Sequence, residues 1–67
     1  MDVRVERTRR RLQEALFSLA RERGLENVAV SDIAERAGVN RSTFYQHYAD
    51  KDTVLADALD RIAGEAG

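Results

Sequence analysis

A chain of 67 residues, 43% hydrophobic and 34% charged, is one domain at most: too apolar for a disordered segment and too charged for a membrane span. With no cysteine it has neither a disulfide to staple it nor a thiolate for metal or nucleophilic chemistry. Its net charge of −1 argues, taken alone, against a polyanionic partner, yet residues 1–23 carry seven arginines against four acids while residues 52–67 carry four acids against one arginine.

The N-terminal stretch MDVRVERTRRR has positive charge but no apolar run and no small-residue cleavage site after it, so it does not read as a secretory signal, and a cytoplasmic protein is expected. Leu12, Ala15, Leu16, Leu19 and Ala20 then recur at the spacing of one helical face. They predict a first helix from roughly Val5 or Thr8 to Arg23. Thr8 is a candidate cap for the shorter version, which would leave the preceding residues as a basic arm. Gly24 should end this helix, with Leu25 folding back in a Schellman-type stop.

A second, two-turn helix is predicted from Val30 to Ala37, with Ile33, Ala34 and Ala37 on its apolar side. Its start is open, because Ala29 is a poor cap and Ser31 would begin the helix later. Asn40 is a good cap for a third helix, Arg41 to about Tyr48, buried through Phe44 and part of Tyr48. Asp50 can cap a fourth, whose apolar stripe is Val54, Leu55, Ala58, Leu59 and Ile62. Gly64 and Gly67 fall in an expected fraying tail.

Two short helices joined by a glycine-containing turn make a helix-turn-helix, and residues 29–48 fit one. Ile33 supplies apolar bulk, Ala34 is small where the helices meet, Gly38 allows the turn, and Val39 and Phe44 fill the space towards helix one. The third helix then has free faces bearing Arg41, Ser42, Thr43, Tyr45, Gln46 and His47, followed by Lys51. Arginine can pair with guanine, glutamine with adenine, and threonine can touch a thymine methyl, while the hydroxyls, His47 and Lys51 suit phosphates.

The run VAVSDIAERAGVNRSTFYQHYADKDTVLADAL resembles the signature of the TetR family, in Asp32-Ile33-Ala34, Ala37-Gly38-Val39, Thr43-Phe44-Tyr45, His47-Tyr48 and Lys51-Asp52 with Val54. The similarity extends from about Thr8 to Leu59. It implies an all-α, homeodomain-like bundle over residues 1–67 that binds double-stranded DNA, as part of a homodimeric repressor on a pseudo-palindromic operator. By position, Thr43, Tyr45, His47 and Lys51 would anchor the backbone, Arg41, Ser42 and Gln46 would read bases, and Ser31 would add a further contact. Ala29 stands where the family commonly has a capping Ser or Thr that touches phosphate, so that contact is not expected here. The family's C-terminal ligand-binding and dimerising domain is expected to be absent from this stretch, and with it any small-molecule effector site.

The competing readings are blander. His47 alone on a helix is ordinarily structural, and no second His or Cys stands at ligand spacing, so no metal or other cofactor is expected. Arg9, Arg10 and Arg11 are either a solvated face balanced by glutamates or a further DNA contact. Tyr45 should point outward, and Tyr48 should be half-buried against helix four. Ser42 and His47 lie on different faces, so no nucleophile and base pair up, and an enzyme is not expected. The alternative function is a helical module that docks helix three into a partner protein.

Overall fold

The computed structural model describes residues 3–66, and its regular structure is helical throughout. Helix α1 spans Val3–Arg23, α2 Val30–Ala37, α3 Arg41–His47 and α4 Lys51–Ala66, with a 3₁₀ turn at Leu25–Asn27 between the first two. No strand occurs among the described residues. The all-α bundle expected from the apolar periodicity is the bundle found.

Helix α1 begins earlier than its apolar stripe suggested. Thr8 does not cap it: Thr8 Oγ1 donates to the Arg4 carbonyl at 3.0 Å, the back-bond that a threonine inside a helix makes. The basic residues from Arg4 onward are therefore helical, while Met1 and Asp2 lie outside the described residues. Gly24 ends the helix, its N–H donating to the Ala20 carbonyl at 2.8 Å. Its φ of 86° is positive, as glycine allows, but its ψ of 142° lies far from the left-handed helical value, so this stop is not the Schellman type expected. Leu25 still packs onto the core.

That motif occurs one helix later. Gly38 has φ 78° and ψ 28°, its N–H donates to the Glu35 carbonyl at 3.1 Å, and the Val39 N–H donates to the Ala34 carbonyl at 2.9 Å. These are the paired bonds of a Schellman stop, and they turn the chain into α3 within three residues. The start of α2 is also settled. Ala29 is its N-cap, and the Asp32 carboxylate accepts the Ala29 N–H at 3.1 Å, which is one half of a capping box made without a capping side chain. Of the expected tail, Gly64 lies inside α4 and Gly67 lies outside the described residues.

One core joins all four helices. Leu12, Ala15, Leu16 and Leu19 of α1 meet Ile33 and Ala34 of α2, Phe44 of α3 and Val54 of α4. Val28 and Tyr48, from the connecting segments, complete it, and Val39 packs on its edge. Phe44 is wholly buried. Arg36 bridges α2 to α1 through Glu22 at 2.7 Å and the Ser18 hydroxyl at 2.8 Å. That exposed pair orients side chains more than it stabilises, because water screens it.

Gly38 gives a direct test of the turn. A Cβ there would meet nothing within 4 Å, so only the backbone conformation resists a side chain. Gly38→Ala should cost about 1–2 kcal/mol and Gly38→Asn less, by urea unfolding, since asparagine tolerates the left-handed region. An Ala variant as stable as the parent would show that the turn conformation is not what reserves this position.

Candidate nucleic-acid interface

The site is built around the first turn of α3. Asn40 Oδ1 accepts the Thr43 N–H at 2.8 Å, the Thr43 hydroxyl at 2.9 Å and the Ser42 hydroxyl at 2.7 Å. This is the side-chain cap predicted for Asn40, and it satisfies a backbone donor that the helix leaves unpaired. It also commits two hydroxyl protons. As placed, Ser42 and Thr43 offer outward only oxygen lone pairs and, for Thr43, a methyl group.

Beyond the cap, α3 divides by face. Arg41, Ser42, Tyr45 and Gln46 are exposed, Thr43 and His47 are half-buried, and Phe44 is buried. A seven-residue helix cannot show four polar side chains on one side unless its apolar residues hold the other, and Phe44 with the following Tyr48 does so. Tyr45 is 51% exposed, as expected, with its ring set edge-on to Phe44 at a centroid distance of 5.4 Å. Ser31 is exposed in the first turn of α2.

Lys51 has a different setting from the other candidates. Its Nζ donates to the Leu25 carbonyl at 2.8 Å and the Val28 carbonyl at 2.9 Å, so it braces the start of α4 against the 3₁₀ turn. An ammonium has three N–H groups, which leaves one for an outside acceptor. The start of α4 is further closed by Asp50, whose carboxylate accepts the Thr53 N–H and hydroxyl, each at 2.8 Å. Those bonds hold the Asp50 carboxyl below its ordinary pKa.

Charge is more mixed than its distribution along the chain suggested. Glu6, Arg9, Arg10, Asp57, Asp60 and Arg61 line one shallow cleft between α1 and α4. The basic start of the chain and the acidic fourth helix therefore lie side by side rather than on separate surfaces. Arg9 also borders His47 and Tyr48.

The residues that sequence reasoning missed are Gln13, Asp57 and Arg61. Gln13, only 3% exposed, donates through Nε2 to the Tyr48 hydroxyl at 3.1 Å and to Asp57 Oδ2 at 3.2 Å, and its Oε1 accepts from Arg61 Nε at 2.9 Å. Tyr48 in turn donates to Asp57 Oδ2 at 2.6 Å. Tyr48 is thus not half-buried, as its position suggested, but 4% exposed. Burial first, and the neighbouring Asp57 carboxylate second, push its phenol from 10.0 up to about 12. A signal existed in the sequence: Gln13 stands on the flank of the α1 stripe, three residues before Leu16, where a polar side chain must find partners.

A capped turn between two short helices, with a polar face presented by the second, defines a helix-turn-helix domain. The family described as "Bacterial regulatory proteins, tetR family" matches residues 12–58, and the chain belongs to that family. It is 38% identical over 66 residues to the uncharacterized HTH-type transcriptional regulator YxbF of Bacillus subtilis (strain 168), covering 97% of this chain and 17% of that protein. It is 39% identical over 49 residues to the HTH-type transcriptional regulator EthR of Mycobacterium tuberculosis (strain ATCC 25618 / H37Rv), covering 73% of this chain and 23% of that one. An HTH-type transcriptional regulator of Haemophilus influenzae, also uncharacterized, is 34% identical over 59 residues, 87% of this chain and 29% of its own length. The chain thus spans less than a third of each of these relatives. No solved structure matches it significantly.

Two measurements probe the site's framework. Lys51→Met should destabilise the fold by roughly 1.5–3 kcal/mol in urea unfolding, the usual worth of hydrogen bonds from a charged group; unchanged stability would mean the brace is idle. For Tyr48 the raised pKa belongs to the folded state, so the unfolded chain loses that proton first. The stability it contributes is intact below pH 10 and is lost as pH rises towards about 12. Denaturant midpoints at pH 9 and pH 11 should fall more for the parent than for Tyr48→Phe, and equal falls would remove the assignment.

Proposed function

We propose that this chain is the DNA-binding domain of a TetR-type transcriptional regulator, with α3 in the major groove of duplex DNA, α2 across the backbone and the start of α4 near a phosphate. The reading rests on one observation: Arg41, Ser42, Tyr45 and Gln46 stand exposed together on a helix whose opposite side is locked into the core by Phe44. Side chains held on a rigid support are what base recognition needs.

The roles follow from hydrogen-bonding capacity. Arg41 presents the planar donor fork that matches guanine O6 and N7, and Gln46 matches adenine N6 and N7. Ser42, whose proton goes to Asn40, reads as an acceptor for adenine N6 or cytosine N4. Tyr45 and His47 act on phosphates as donors, Lys51 through its one remaining N–H, and Ser31 adds a contact from α2. Thr43, with its hydroxyl turned to the cap, contributes its methyl unless the hydroxyl rotates towards the backbone. In the whole protein two such domains would form a homodimer on a pseudo-palindromic operator and act as a repressor in the cytoplasm. A small-molecule effector would enter only through a further domain. No described helix is long and apolar enough to cross a membrane.

Selecting sites from random duplexes with an artificially dimerised form, and then titrating at several salt concentrations, tests this. Affinity should drop steeply with salt, whereas a helix that docks into a partner protein would give no such signal. Arg41→Ala should cost about 1–3 kcal/mol at the selected site and relax base choice there, while Tyr45→Phe should weaken all sequences alike. Equal losses on every sequence for Arg41→Ala would end the base-reading assignment.

A further inference from the structure

Helix α3 has only seven residues, and its closest packing is against α2. Its N-terminal end is fixed by the Gly38 turn and the Asn40 cap, and its middle by Phe44. Burial of Phe44 is strong but non-directional, so it acts as a pivot and leaves tilt about itself undetermined. Something directional must hold the far end. The chain leaves α3 at Tyr48 in an extended conformation, φ −139° and ψ 144°, which sends the Tyr48 ring inward and its hydroxyl to α4 and α1.

There the hydroxyl meets acceptor and donor together. It donates to Asp57 Oδ2 at 2.6 Å and accepts from Gln13 Nε2 at 3.1 Å. Gln13 has no slack: both of its N–H bonds are used, and its carbonyl oxygen takes the Arg61 Nε at 2.9 Å. Gln13 of α1 and Asp57 of α4 thus hold one phenol from two helices, and Arg61, one turn beyond Asp57, fixes Gln13. Hydrogen bonds weaken steeply as their angles open, and this network, buried at its Gln13–Tyr48 bond and part-buried at the others, tolerates little rotation.

The geometry points to Tyr48, Asp57 and Gln13 as positioning residues for base recognition: they touch no DNA themselves, but set the tilt of α3 and with it the register of Arg41 and Gln46 on base edges. This inference rests on the function proposed above. Phosphate contacts made through long or rotatable groups absorb a small tilt, whereas paired hydrogen bonds to a base edge require placement within about 0.5 Å and 10–20°. Losing the tether should therefore erode discrimination between sequences more than general affinity.

The test compares the 67-residue chain with Tyr48→Phe, Asp57→Ala and Asp57→Asn, measuring affinity for a selected duplex and for a scrambled one beside each variant's unfolding midpoint. Tyr48→Phe keeps the buried ring, and Asp57→Asn keeps an acceptor for the phenol. Tyr48→Phe and Asp57→Ala should lower the ratio of selected to scrambled affinity by about tenfold at temperatures where both stay folded, with Asp57→Asn holding it within about threefold and the salt slope unchanged. If Tyr48→Phe does not fold, Asp57→Ala carries the test, since every core side chain remains. A parent chain without salt-dependent preference for any duplex overturns the proposed function and this inference with it. A parent that discriminates, beside folded variants whose ratio is unchanged, overturns the positioning role alone.

Discussion

Burial of the Phe44 ring is the contact on which the rest of this small molecule depends. A chain of 67 residues has room for one core, and that core needs a large apolar group from its shortest helix to close. Phe44 supplies it, with Leu12, Leu16, Ile33 and Val54 in the same cluster. The consequence for α3 is a division of labour forced by geometry. Once residue 44 points inward, residues 41, 42, 45 and 46 have nowhere to go but outward. A side chain that closes the fold and a face that meets a partner are thus two results of one placement.

Two backbone devices make that placement possible. Gly38 turns the chain with a pair of Schellman bonds, and Asn40 restarts it as helix with three bonds to a single carboxamide oxygen. Lys51 does comparable work on the opposite flank. By donating to the carbonyls of Leu25 and Val28 it ties the beginning of α4 to the loop between α1 and α2. A single side chain thereby links segments more than twenty residues apart in the chain. This is why its role in any complex cannot be separated from its role in the fold without measuring both.

Much of this was legible in the sequence, because periodicity and caps are local. The stripe of α1, the stop at Gly38, the cap at Asn40 and the exposed set on α3 all follow from spacing within a few residues. What could not be read is what distance along the chain hides. The Gln13–Tyr48 bond joins residues 35 apart, and the Gln13–Arg61 bond residues 48 apart. No local pattern announces such pairs. The start of α2 was ambiguous for a related reason: its cap is made backwards, by Asp32 reaching to the Ala29 N–H, so the residue at the cap position carries no signal. At Thr8 the local rule itself misled, since the same hydroxyl that caps a helix can bond back within one.

The mingling of charge between α1 and α4 carries a kinetic meaning. Glu6, Asp57 and Asp60 stand among Arg9, Arg10 and Arg61, so their fields largely cancel beyond a Debye length, about 10 Å at 0.1 M salt. A polyanion approaching that end of the bundle feels little pull until it is nearly in contact. On the proposed reading, this end of the bundle adds little to long-range steering, and a good site differs from a poor one chiefly in how long the complex lasts once formed.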